Sequence, residues 1–143
     1  MRLRIIICHI LLLCMPGVLS AQKEYVGKTD KLSVHPRILL PKGEEKELKK
    51  QIRKDAIWTD VHMALLEEAD SIIQQPLNEC VIIGWRLLDV SRDNLRRIFI
   101  LSYAYRMTGN VRFAKRAEAE MLQAASFPDW NPQHFLDVGE MTM

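Results

Sequence analysis

Leu95-Arg96-Arg97-Ile98-Phe99-Ile100-Leu101-Ser102-Tyr103-Ala104-Tyr105-Arg106-Met107-Thr108-Gly109-Asn110 decides the fold class. The segment is apolar on nearly every face of a helix up to Met107 and then stops at Thr108-Gly109-Asn110. A helix of that kind is surrounded by other helices. A second helix starts at Val111, with Phe113, Ala114, Ala117, Met121, Leu122 and Ala125 on one face, and ends before Pro128. Two helices joined by a turn of about three residues form an antiparallel hairpin. The chain therefore reads as all-α.

Upstream, Ser91 reads as the N-cap of the first of these helices, with Asn94 where a complete capping box has Glu or Gln. Asn78 to Asp89 is irregular: Val81-Ile82-Ile83 suggests a short strand, and Gly84 allows a turn before Trp85-Arg86. Trp58, Val61, His62, Leu65, Leu66, Ala69, Ile72 and Ile73 recur at three- and four-residue spacing up to Pro76, which predicts an amphipathic helix with a wide buried face. Before it, Glu44 to Lys54 places acids first and bases last, as the helix macrodipole favours, with only Leu48 and Ile52 as an apolar edge. Residues 22–43, with Pro36, Pro41 and Gly43, suit an extended arm whose Ile38-Leu39-Leu40 forms a short strand or an anchor.

The N-terminus is of another character. Arg2 and Arg4 precede the apolar run Ile5 to Leu13, and Pro16-Gly17 breaks it ahead of Leu19-Ser20-Ala21. That is the pattern of a secretory signal peptide over residues 1–21, cleaved after Ser20 or Ala21; Leu13 speaks against a lipoprotein anchored through Cys14. The run falls short of the roughly 20 apolar residues of a membrane span. Export to the periplasm or the extracellular space is expected. Of the 143 residues, 48% are apolar and 27% charged, as in one ordinary domain. Loss of the leader removes Arg2 and Arg4, leaving 18 basic residues against 18 acidic, so no global field points to nucleic acid. Cys80 then stands alone, and His35, His62 and His134 are too widely spaced for a zinc site. No cofactor and no metal is expected.

Downstream, Phe127 to Gln133 is a loop fixed by Pro128 and Pro132 around Trp130, and a further helix begins near His134. With neither a C-cap glycine nor a polar tail after Met143, the sequence reads as the opening turns of a buried helix in a longer protein.

Four blocks in this order carry a resemblance: His35-Pro36-Arg37-Ile38-Leu39-Leu40; Val90 to Ile98; Ala104-Tyr105-Arg106-Met107-Thr108-Gly109-Asn110; and Asp129-Trp130-Asn131-Pro132-Gln133-His134-Phe135-Leu136-Asp137-Val138-Gly139-Glu140-Met141-Thr142. Together they resemble the N-terminal domain of heparinase II-like polysaccharide lyases, in the heparinase II/III group. The last block is the most specific; the third also occurs in unrelated helical repeats. The resemblance implies that residues 44–143 are the opening helices of an incomplete α/α toroid, with further helices and a β-sandwich to follow. It also implies a secreted enzyme that cleaves uronic-acid-containing glycosaminoglycans by β-elimination. A base removes the C5 proton, a cationic or amide group stabilises the carboxylate dianion, and an acid protonates the leaving oxygen. The Tyr, His and Asn or Glu residues that do this in the family lie beyond this chain, so no catalytic residue carries over, and the chain alone is expected to be inactive.

Trp130, Asn131, His134 and Asp137, all in the last block, are the candidate contacts to an acidic polysaccharide. Each also has a plain structural reading: Trp130 as a loop anchor, His134 as a cap or packing residue, Asp137 as a partner of neighbouring backbone, with Glu140 buried against an Arg. Arg86, Arg92, Arg96 and Arg97 suit sulfate, but Asp89 and Asp93 are close enough to neutralise them. Arg106 and Arg112 flank the hairpin turn and serve helix ends, His62 reads as a satisfied core histidine, and at least one of Tyr103 and Tyr105 belongs to the core. A second reading is an exported tetratricopeptide-like module that binds a protein. It lacks the further repeat copies that stacking needs.

Overall fold

The computed structural model describes residues 39–143. The expected signal peptide and most of the expected arm, 1–38, lie outside the described residues. The chain divides into two units, one ending at Lys42 and the other spanning Gly43–Met143. In the first, Leu39 and Leu40 form a bend in which Leu39 has φ 65°, so they are not a strand. The second holds five helices: α1 (Glu45–Lys54), α2 (Ala56–Gln74), α3 (Leu88–Thr108), α4 (Val111–Ala125) and α5 (Phe135–Met141). It is all-α, as the sequence indicates.

α1 follows its charges, with Glu45 and Glu47 in the first turn, Arg53 and Lys54 in the last, and Ile52 buried. Asp55 ends it and caps α2, its Oδ1 accepting from the Ile57 and Trp58 N–H groups at 2.9 and 3.4 Å. α3 is the central helix and packs against the other four. At its far end Gly109 takes φ 74° and donates its N–H to the Tyr105 carbonyl at 2.7 Å. Asn110 Oδ1 then caps α4 by accepting from Arg112 N–H, which makes the hairpin turn very short. The core is Ala69 and Ile72 of α2, Leu101 and Ala104 of α3, and Phe113 and Ala117 of α4. Three alanines among six core residues let the helices approach closely around one large ring.

Several expectations are corrected. Ser91 is not the N-cap of α3: the helix begins three residues earlier, and Ser91 is buried inside it with its hydroxyl donating to the Leu87 carbonyl at 3.3 Å. The helix starts early because its cap comes from far along the chain, as described below. Val81-Ile82-Ile83 is not a strand. Its one pairing is between Ile83 and Arg86 across a turn in which Gly84 has φ 65°, and the described residues offer no neighbouring strand. The buried face of α2 is narrower than predicted: Ala69 and Ile72 are buried, but Ile57, Trp58 and Val61 have no described element over them. On α4 the inward residues are Phe113, Ala117, Glu120 and Ala124, while Met121 and Leu122 face solvent. Neither tyrosine is fully buried; Tyr103 is half-buried and Tyr105 exposed.

The inward turn of Glu120 has a clear cause. Its carboxylate is fully buried and meets Arg116 at 2.8 Å and Arg97 at 3.2 Å. Arg97 also meets Asp93 at 2.6 Å. The same guanidinium groups donate to the orphan carbonyls that close α2: Arg116 to Ile73 at 3.0 Å and Gln75 at 2.8 Å, Arg97 to Pro76 at 2.8 Å. One buried acid thus lets two arginines cap the end of a neighbouring helix. Removing it as Glu120→Ala leaves Arg116 without its carboxylate and Arg97 with Asp93 alone, and should cost about 3 kcal/mol. Urea denaturation checks this, and a midpoint unchanged from the parent would show that water replaces the carboxylate.

Candidate functional site

The four candidate residues lie where the loop 126–134 and α5 fold back onto the start of α3. Trp130 is half-buried, and its indole N–H donates to the Ala124 carbonyl at 2.9 Å, tying the loop to the end of α4. Asn131 has φ 54°, a left-handed conformation that Asn tolerates, and its N–H closes a turn on Asp129 Oδ1 at 2.8 Å. Its side-chain amide donates to the Trp85 carbonyl at 2.8 Å and to Asp137 Oδ2 at 2.6 Å. His134 precedes α5 without capping it. Its Nδ1 lies 3.1 Å from Asp137 Oδ1, and its ring stacks beside Phe135.

Asp137 is the centre of this arrangement. It is fully buried, and its Oδ2 also accepts the Leu87 N–H at 2.8 Å, across 50 residues of sequence. That bond satisfies an orphan donor at the start of α3 and sets a negative charge against the positive end of the helix. Burial alone pushes the Asp137 carboxyl up, but the bonds from Leu87 N–H, Asn131 and His134 outweigh it and hold the group below the usual carboxylate value. A carboxylate with its donors so arranged is a poor proton acceptor and has no surface to offer a polymer. Asp137 is thus a structural lock here, while Trp130, Asn131 and His134 keep some accessible surface. Arg92 Nε meets the Glu140 carboxylate at 2.9 and 3.1 Å, a second tie between α3 and α5; Glu140 is half-buried rather than buried.

Sequence reasoning passed over Trp85, which the lock presents. The tip of the turn puts its side chain 88% in solvent, while Asn131 holds its carbonyl. The signal was there, a Trp directly after Gly84, but the preceding Val-Ile-Ile run drew the reading toward a strand. Exposed Trp85 and Phe135, with the partly exposed His134 between them in sequence, combine aromatic surface with a hydrogen-bonding ring.

The arginines of α3 are mostly engaged. Arg96 pairs with Asp93 and Glu68, Arg97 with Asp93 and Glu120, and Arg92 with Glu140, so Asp93 takes part as expected, whereas Asp89 and Arg86 form no ion pair among the described residues and the other partners are Glu68, Glu120 and Glu140. Arg106 pairs with Glu45 and Arg112 with Asp70, so both tie the hairpin to other helices. His62 is half-buried against Tyr103, its Nδ1 2.8 Å from the phenol oxygen. Among the described residues no group of three His, Cys, Asp or Glu could hold a metal ion, and Cys80 is an exposed free thiol. Compared with known proteins, the chain matches no family model and no curated protein.

Because the folded-state pKa of Asp137 is lowered, its contribution is complete above the ordinary value of 3.8 and is lost as pH falls from there through the folded value. Asp137→Asn should therefore be less stable at neutral pH and show a flatter stability profile on the acid side. Urea titrations of both proteins at neutral and acid pH check this; parallel profiles would mean that the carboxylate is protonated throughout.

Proposed function

We propose that this chain is the N-terminal part of an exported polysaccharide lyase of the heparinase II type, whose complete form cleaves uronic-acid-containing glycosaminoglycans by β-elimination. One observation carries the reading: two of the blocks behind the resemblance, Val90 to Ile98 and Asp129 to Thr142, pack on each other. Arg92 bonds Glu140, and Asn94 Nδ2 lies 3.6 Å from Met141 Sδ, beside the Leu87–Asp137 cap. Residues that recur together for a structural reason should make such contacts. A stack of tetratricopeptide-like repeats has no role for this lock.

Exposed apolar side chains support the reading further. Ile57, Trp58 and Val61 on α2, Met121 and Leu122 on α4, and Phe135 and Leu136 on α5 suit faces on which later helices of a toroid pack. No helix of the described residues is long and apolar enough to cross a membrane. In this scheme the chain scaffolds the glycan cleft, with the aromatic surface at Trp85, Trp130 and His134 as its contribution to acidic sugar units. The base and acid of the elimination come from the later helices and the sandwich.

The test compares this chain with the product of its gene read onward in frame, both incubated with heparin, heparan sulfate and a non-sulfated polyuronate. Ultraviolet absorbance of the unsaturated product should rise for the extended protein and stay flat for this chain. Product from the chain alone would place the catalytic groups within it. No product from the extended protein on any of the three would sink the lyase reading.

A further inference from the structure

A groove of about 320 Å3 opens between α1, α2 and α3, away from the residues assigned above to the polysaccharide. Its lining is Lys49, Ile52, Arg53, His62 and Met107. The order of residues explains why these meet. Lys49, Ile52 and Arg53 stand at i, i+3 and i+4 on α1 and so share one face. Ile52 is buried, while Lys49 and Arg53 are exposed and line the groove from α1. Met107, nearly buried, closes the floor from the last turn of α3.

The electrostatics are unbalanced in one direction. Among the described residues neither Lys49 nor Arg53 forms an ion pair; the Arg53 Nε donates to the Lys49 carbonyl at 3.2 Å. Of the carboxylates nearby in sequence, Glu45 is engaged with Arg106 and the Gly43 N–H, Glu47 with Lys50, and Asp55 with the first N–H groups of α2, while Glu44 and Asp60 form no ion pair among the described residues and do not line the groove. His62 adds a third polar group. Its Nδ1 shares a hydrogen bond with the Tyr103 hydroxyl, and its Nε2 has no partner among the described residues. When Tyr103 donates to Nδ1, the ring proton sits on Nε2 and is available to a ligand oxygen. Burial pushes the Tyr103 phenol up, which keeps its proton in place for that role.

We propose that this groove binds an oxyanion, carboxylate or sulfate, borne by a small organic molecule whose apolar face rests on Ile52 and Met107. Lys49 and Arg53 neutralise the charge, the Arg53 fork meets two oxygens, and His62 donates from the wall. The groove holds about one sugar ring or a molecule of similar size. The assignment stands on the groove alone and is independent of the lyase reading.

The experiment is a set of titrations of the isotope-labelled chain followed by nuclear magnetic resonance, with glucuronate, a sulfated heparin disaccharide, cellobiose and inorganic sulfate as probes. Glucuronate or the disaccharide should shift the His62 ring, Ile52 and Met107 signals saturably, and cellobiose should not. The double variant Lys49→Gln with Arg53→Gln should weaken that binding by about tenfold or more at unchanged melting temperature. A control, Lys42→Gln with Lys115→Gln, should leave it unchanged. Inorganic sulfate binding as tightly as the organic anions would overturn the organic ligand and leave a simple anion site. Shifts confined to Trp85 and His134 would overturn the groove while favouring the polysaccharide reading. Silence at His62 with every probe would overturn the proposal outright.

Discussion

The bond from the Leu87 N–H to the Asp137 carboxylate is the constraint on which the placement of the other parts turns. An α-helix leaves its first N–H groups without internal partners, and a long helix at the centre of a bundle cannot leave them all to water. Here the missing acceptor comes from 50 residues downstream. Its position fixes where α3 begins, which in turn sets which residues of α3 face inward. Leu101 and Ala104 enter the core and Ser91, Asn94 and Arg97 lie buried above it. The same carboxylate draws in Asn131 and His134, so the loop after α4 takes its shape from the charge that caps α3.

A second buried carboxylate does comparable work at the opposite kind of helix end. α2 closes with carbonyls that need donors, and Arg97 and Arg116 supply them from two different helices. Two guanidinium groups side by side repel unless an anion lies between them, and Glu120 is that anion. The central apolar cluster has alanine at three of its six positions, so its faces are smooth and carry little shape to fix their register. Directional bonds at helix ends therefore decide the arrangement more than apolar area does. They specify which helix meets which, where alanine faces alone would allow sliding.

This division explains what could be read from the chain. Local signals were legible: the charge gradient of α1, the stop at Gly109, the start of α5 at His134, and the anchoring alternative for Trp130 all depend on neighbours within a turn or two. The start of α3 was misread at Ser91, because a serine in front of an apolar run looks like a cap when the true acceptor is distant. The face of α4 was misread because Met121 and Leu122 are more apolar than Glu120, and only the arginines of other segments make the glutamate an inward residue. The Val81-Ile82-Ile83 run has the composition of a strand but no partner to pair with among the described residues. Trp130, Asn131, His134 and Asp137, named from one block, lie together in the structure, yet the buried position of Asp137 could not be seen without Leu87 beside it.

The chemical consequence concerns which groups remain free to act. A general base needs an accessible lone pair near its substrate, and a sulfate site needs cations without local anions. Asp137 is buried in hydrogen bonds, Glu120 is buried with its Oε1 held by Arg97 and Arg116, and Asp93, Arg92, Arg96 and Arg97 neutralise one another or their neighbours. Among the described residues, those without such partners include the exposed ring of Trp85, Nε2 of His62, and the cations Lys49 and Arg53. Such groups hold a ligand by stacking, charge and hydrogen bonding.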